Sequence, residues 1–311
     1  MGRGVSRQHH AMNEVLGARR LLIIFNPAAG RSPKRRLDAI VEQLGALGCI
    51  VVVRETTARG DAEAFAREAD AARFDLVAAA GGDGTINEVV NGLSASDLPL
   101  AVLPLGTGNV LANELGLPRH PKRLARLIAS GTARPVWMGE IANGAIGARR
   151  FVMMAGIGFD AAVVAGLDEA LKRKVGKLAF VRAILAEIIN YRRNRYNVHC
   201  DGVEHSVASA VISKGHFYAG RFVLAPAARL DEPWLHLVLF MRTGRVAALK
   251  YLAAMALGVA HRLSDIRILR TTEVTVSEPG GAVVEGDGDI VAKLPVQIRV
   301  AEKPLLLIQP G

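Results

Sequence analysis

The chain has 311 residues, 50% of them hydrophobic and 22% charged, which is the balance of a folded globular protein and not of a disordered or fibrous one. That length exceeds one comfortable hydrophobic core, so two domains are expected. The formal charge of +10 draws polyanions, but only 5% of the residues are aromatic and no helix-turn-helix, zinc-finger or RNA-motif signature occurs, which argues against nucleic acid as a partner.

Residues 1–20 contain Arg and His without the apolar centre of a signal peptide, and read as a basic tail. Residues 21–25, Leu-Leu-Ile-Ile-Phe, are too short for a helix and predict a strand buried on both faces. Ser32 and Pro33 then mark a helix start. Leu37, Ile40, Val41, Leu44 and Leu47 follow at helical spacing, and Gly48 closes the segment. Residues 50–53 predict a strand, 61–72 a helix, 75–80 a strand, 86–93 a helix and 100–103 a strand. This alternation specifies a parallel sheet covered on both sides, a nucleotide-type α/β domain over 21–135.

From Val136 the texture changes. Strands are expected at 136–141, 151–155, 196–200, 207–213, 235–240, 266–269, 274–276 and 296–300, separated by turns such as Asn143-Gly144 and Asp201-Gly202. Two helical stretches, 168–190 and 245–261, interrupt them. A β-rich second domain over 136–303 follows, with the short apolar run 305–308 returning to the first domain within 304–311. Cys49 and Cys200 have no metal-ligand spacing and suit a reducing, cytoplasmic compartment. The most apolar helix, 246–260, is broken by Lys250 and falls short of the ~20 residues a bilayer requires, which leaves at most a peripheral position at the inner membrane face.

The chemistry concentrates in three loops that follow strands. Gly81-Gly82-Asp83-Gly84-Thr85 joins a strand to a helix, where glycines allow close backbone approach and free N–H groups favour phosphate. An acid among phosphates calls for a divalent cation between them, so Asp83 implies magnesium. Neither a Walker loop nor a G-x-G-x-x-G fingerprint is present. Asn26-Pro27-Ala28-Ala29-Gly30 and Leu105-Gly106-Thr107-Gly108-Asn109 follow two further strands. In an open parallel sheet such loops converge beyond the carboxyl ends of the strands, where ligands bind.

These segments, together with Asn87-Glu88 and Gly156-x-Gly158-Phe159-Asp160-Ala161, occur in the order seen in the diacylglycerol kinase catalytic-domain family. The closest resemblance is to its bacterial lipid kinases, relatives of sphingosine kinase. The resemblance implies an α/β nucleotide domain, a C-terminal β-sandwich and an active site between them. ATP would contact Asn26, Pro27, Ala28, Ala29, Gly30, Thr57, Gly81, Gly82, Asp83, Gly84, Thr85, Ile86, Asn87, Glu88, Thr107 and Asn109. The family's late Asp-Gly-Glu element, source of the proton acceptor, matches Asp287-Gly288-Asp289, with Asp in place of the final Glu; Asp287 and Asp289 both remain candidates. Read from the residues alone, 285–289 is a solvated hairpin turn or a loose calcium loop.

A family segment that holds a structural magnesium matches Leu230-Asp231-Glu232-Pro233-Trp234, with Glu232 at the carboxylate position and Arg229 and Trp234 as carbonyl donors. Proline there replaces a glycine, which fixes the backbone angle and removes an N–H. Asp160 is either structural or faces the acceptor hydroxyl. The basic residues Lys172, Arg173, Lys174, Lys177, Arg182, Arg192, Arg193 and Arg195 interleave with apolar ones, as on a solvated helix face or one lying on anionic lipid. The expected function is ATP- and Mg2+-dependent phosphorylation of a lipid alcohol such as diacylglycerol. An NAD-kinase-like small-molecule kinase and a non-catalytic nucleotide sensor are the alternatives, and a homodimer is left open.

Overall fold

The computed structural model describes residues 19–144, 147–167, 177–191, 193–218, 220–277 and 281–310. The tail expected over 1–20 lies almost wholly outside the described residues, as do Lys172, Arg173, Lys174 and Arg192.

The first part of the chain runs β1 (Arg20–Phe25), α1 (Pro33–Ala46), β2 (Ile50–Glu55), α2 (Asp61–Arg67), β3 (Leu76–Gly81), α3 (Asp83–Gly92), β4 (Leu100–Pro104), α4 (Val110–Glu114), α5 (Pro121–Ser130) and β5 (Thr132–Val136). Strands β2, β1, β3 and β4 lie side by side and parallel. Alternate residues of β1 feed opposite faces, as a period of two dictates. Leu21, Ile23 and Phe25 pack with Leu37, Ile40 and Leu44 of α1, while Leu22 and Ile24 meet Ile86, Val89 and Val90 of α3.

The second part begins with β6 (Gly139–Asn143), β7 (Gly147–Phe151), β8 (Met154–Ile157), α6 (Phe159–Ala165) and α7 (Lys177–Ile189). Then come β9 (Tyr196–Cys200), β10 (Val203–Val207), β11 (Ser209–Ser213), the short pair β12 (Phe217–Tyr218) and β13 (Phe222–Val223), β14 (Leu235–Phe240) and α8 (Arg245–Ala256). The chain closes with β15 (Ile266–Thr271), β16 (Glu273–Ser277), β17 (Val283–Gly286), β18 (Asp289–Lys293), β19 (Val296–Val300) and β20 (Leu305–Gln309). Two antiparallel sheets, β10-β9-β16-β19-β6-β7 and β15-β14-β11-β8-β17-β18, face each other as a sandwich. Ile141, Phe151, Ile157, Val198, Ile212 and Ile298 fill the space between them. Strand β20 leaves the sandwich and lies in the first sheet, parallel to β4 and antiparallel to β5.

Two apolar runs that read as single strands are divided. The run 136–141 ends one sheet at Val136 and opens another at Gly139. The run 207–213 changes sheet at Ala208, with Val203–Val207 paired to β9 and Ser209–Ser213 held between β8 and β14. Residues on both sides of each break are buried, so hydropathy alone carries no mark of the switch. The core on the α3 side of the first sheet continues through Val152 and Met153 into Val211, Val238 and Phe240. One apolar mass therefore spans both domains and fixes their relation. Cys49 and Cys200 are free thiols, and no described helix is long and apolar enough to cross a membrane.

Candidate active site

The loops after β1, β3 and β4 form one floor at the carboxyl edge of the first sheet. Asn26 donates from Nδ2 to Thr85 Oγ1 at 2.9 Å, and its Oδ1 accepts the Ala28 N–H at 2.9 Å. Gly81 O accepts the N–H groups of Leu105 and Gly106 at 2.9 and 3.0 Å. Side chains are excluded where these loops meet. A Cβ on Gly106 would lie 2.5 Å from Gly82 Cα, and one on Gly30, whose φ is +67°, would lie 2.2 Å from Leu105 O. Gly82 stands at the N-cap of α3 with no side-chain cap bond. The first-turn N–H groups of that helix are thus open to an anion, with the helix dipole behind them. Gly84 and Thr107 are exposed on this floor, as are Pro27 and Ala28, whereas Ala29 is buried beneath it.

Several residues expected to touch the ligand also hold the loops in place. Asp83 Oδ1 accepts the Val110 N–H at 2.7 Å. Burial pushes its carboxyl above the usual range, opposed by the N–H groups of Val110, Asn109 and Leu111. The side chain caps the start of α4 through Oδ1. Glu88 accepts the Ala62 N–H at 3.2 Å and caps α2. Ile86 is 1% exposed and belongs to the core. Thr57 bonds Asp61 Oδ2 through both its N–H and its hydroxyl, at 2.7 and 2.9 Å. Asn109 donates to Gly106 O at 2.7 Å, and its Oδ1 is buried without a partner.

Opposite the floor stands the hairpin of β17 and β18. Its two turn residues, Asp287 and Gly288, have φ of 51° and 87°, the conformation that makes Asp-Gly a preferred two-residue hairpin turn. The turn is half-buried, and its first carboxylate is held by protein donors. Asp287 Oδ2 accepts the Val152 N–H at 2.6 Å and Asn87 Nδ2 at 2.8 Å, and Oδ1 accepts the N–H groups of Met153 and Met154 at 2.8 and 3.1 Å. Asn87 and Asn91 also donate to Arg150 O, at 3.1 and 3.0 Å. These bonds fasten the hairpin and β7 onto α3. Both Asp287 oxygens are thus engaged as fasteners of the hairpin.

Asp289, two residues on, is left facing the floor. Its Oδ2 lies 3.8 Å from the point a Cβ on Gly84 would occupy, and 3.2 Å from an Arg59 guanidinium nitrogen. Its side chain keeps about a third of its surface (33%) exposed, enough to meet a ligand. Arg59 is a site residue that sequence reasoning did not single out, because Ala-Arg-Gly in a loop carries no pattern.

Behind the hairpin, half-buried Asp160 and Tyr218 meet fully buried Glu285 in an acidic cluster. Gly288 N–H donates to Glu285 Oε2 at 2.8 Å, and the Tyr218 hydroxyl donates to Asp160 Oδ1. Asp160 Oδ2 and Glu285 Oε1 crowd the same point beside Gly156, at 2.2 and 2.7 Å from the place of an added Cβ. Two carboxylates so placed cannot both ionise, so they share a proton. Burial drives Glu285 well above the carboxylate range, with Asp160 adding to it, and drives Asp160 upward as well. Asp160 has both oxygens engaged in this cluster and supports the wall of an apolar cavity lined by Phe159, Tyr218, Phe240, Tyr251, Leu252 and Met255.

The segment expected to hold a structural magnesium does not fit one. The carbonyls of Arg229, Glu232 and Trp234 all accept from Lys214 Nζ. The Glu232 carboxylate points elsewhere, toward Arg229 and Arg270 at 3.8 and 3.6 Å. Burial lowers the Lys214 pKa to about 8, against the pull of Glu232 and Asp231, so the group is still largely protonated at neutral pH.

Residues 20–141 match the family profile of the diacylglycerol kinase catalytic domain, and residues 153–309 that of the YegS C-terminal NAD kinase beta sandwich-like domain. The chain is similar to "Diacylglycerol kinase" of Bacillus subtilis (strain 168), with 32% identity over 86% of this chain and 90% of the relative. It is 33% identical, over 68% of each chain, to "Probable lipid kinase YegS-like" of Pseudomonas aeruginosa PAO1. A solved structure of a diacylglycerol kinase from Bacillus anthracis superposes with a TM-score of 0.76 at 26% identity, covering 94% of this chain and 98% of that one.

Proposed function

Because the chain belongs to the diacylglycerol kinase catalytic-domain family, we propose that it transfers the terminal phosphate of ATP to the hydroxyl of a lipid alcohol such as diacylglycerol. The observation that carries this reading is the placement of Asp289 over Gly84, across from the uncapped start of α3. The triphosphate occupies the three-loop floor, held by backbone N–H groups. The lipid hydroxyl enters between floor and hairpin. As its oxygen bonds to the terminal phosphorus, its proton passes to the Asp289 carboxylate, the bridging P–O bond breaks and ADP leaves. Arg59 beside Asp289 balances charge on the phosphates. A magnesium ion bound with the nucleotide would supply further charge neutralisation on the phosphates beside Asp83 and Asp289.

Access to lipid is supported by a second feature. Helices α7 and α8 expose Val181, Leu185, Ile189, Val246, Leu249 and Leu257, with Val246 83% and Leu257 75% accessible. Arg182 and Arg245 are exposed among them. Apolar residues rimmed by basic ones suit the surface of an anionic bilayer, and α8 also lines the cavity above Asp160. The enzyme thus draws its acceptor from the membrane without spanning it. Incubation of the purified protein with ATP labelled in its terminal phosphate and a panel of lipid alcohols tests the reading. With NAD included as a competing acceptor, label in a lipid product supports it, and label in NAD alone refutes it.

A further inference from the structure

The carbonyls of Arg229, Glu232 and Trp234 converge on one point, and Lys214 Nζ sits there at 3.4, 2.6 and 2.8 Å. Three N–H donors meet three acceptors, which is the whole capacity of an ammonium. Lys214 is 0% exposed, so no water completes this set from bulk solvent. The carboxylates of the segment face outward. Asp231 grips the Arg229 guanidinium at 3.0 and 2.8 Å, and Glu232 lies between Arg229 and Arg270. A magnesium ion requires a near-octahedral oxygen shell at ~2.0–2.1 Å, usually with a carboxylate in it. Here the centre of the cradle is filled and the carboxylates are turned away.

We infer that Lys214 is the resident cation of the 229–234 cradle, standing where a divalent metal ion was expected, and that it makes the interdomain framework independent of metal. The bonds around it explain why a cation is needed. Leu230 O accepts the N–H of Trp137, at the crossing between the first sheet and the sandwich, at 2.8 Å. Lys214 N–H donates to Met153 O at 2.8 Å, and Met153 N–H is one of the donors on Asp287. The next residues, His216 and Phe217, donate their N–H groups to Glu114 of α4 at 2.8 and 3.0 Å. The ammonium therefore anchors the 229–234 segment to a stretch, 214–217, whose backbone N–H groups reach Met153 and Glu114. The charge and chain replace an ion that would have to be bound from solution. This inference goes beyond the kinase reading and stands apart from it, since no nucleotide or lipid enters.

The test uses the full chain without nucleotide. The native protein, exhaustively dialysed, is assayed for bound divalent metal and melted with chelator or with millimolar Mg2+. No stoichiometric metal and coincident melting curves are expected. A Lys214→Met variant keeps the length of the side chain but loses the donors, and its midpoint should fall by about 5 °C or more. In a Lys214→Ser variant the emptied cradle should make the melting temperature rise with added Mg2+. Stoichiometric metal in the native protein, destabilisation by chelator, or a Lys214→Met midpoint equal to the parent's would overturn the inference. Should either variant fail to fold, the metal content and chelator response of the native chain still decide it.

Discussion

At positions 287 and 289 two aspartates share one turn and differ in their surroundings. Asp287 collects three backbone N–H groups and the Asn87 amide, whereas Asp289 has Arg59 on one side and the glycine floor on the other. Replacing Asp287 by Ala strands those donors, so stability should fall by about 3 kcal/mol or more in denaturant titrations; a loss below about 1 kcal/mol would mean the fastening is unimportant. The Asp160–Glu285 pair gives a pH signature. Glu285 binds its proton more tightly folded than unfolded, where its usual value is 4.5. The stability this supplies is complete below the unfolded value and is lost as pH rises through the folded one. A Glu285→Gln variant keeps a neutral donor at that place and removes this loss. Its stability curve should therefore cross the parent's and lie above it at alkaline pH, and parallel curves from pH ~5 to ~9 would rule out the shared proton.

For the loops and helices, close approach is the governing quantity. Gly106 has no room for a side chain, since a Cβ would stand 2.5 Å from Gly82 Cα. A Gly106→Ala protein must part these loops by several tenths of an ångström or more, and its nucleotide KM should rise about tenfold or more while the fold survives; an unchanged KM would show that the floor does not hold the nucleotide. The three loops were legible in the sequence because glycines after short apolar runs have few other uses. The β1 core was legible as a short continuous apolar run, and the α3 face through its period of 3.6. The change of sheet at Ala208 was not, because both neighbouring runs are buried and apolar. Nor was the division of labour between Asp287 and Asp289, which depends on β7 and β8 lying across from residues more than a hundred positions later. Lys214 was invisible for the same reason: its partners are carbonyls, which every residue has.

Across the whole molecule, residues of both domains join one core, and the hairpin is fastened to α3 beside the floor through Asn87 and Asp287. The exposed apolar residues sit on and beside α7 and α8, which are joined by a bond from Arg245 to the Ile189 carbonyl. A Val246→Asp, Leu257→Asp double variant should lose most binding to anionic vesicles while phosphorylating a short-chain, water-soluble acceptor at the parent's rate. Equal vesicle binding would remove the docking surface from the account. The placement of a carboxylate over an open helix start is the claim on which the rest depends. It is tested most directly by comparing phosphate transfer from ATP to diacylglycerol in mixed micelles for the parent and Asp289→Asn, with nucleotide affinity measured beside it. The account predicts that the variant binds ATP as the parent does and transfers about a hundredfold to ten-thousandfold more slowly. Equal transfer rates for the two proteins would contradict it.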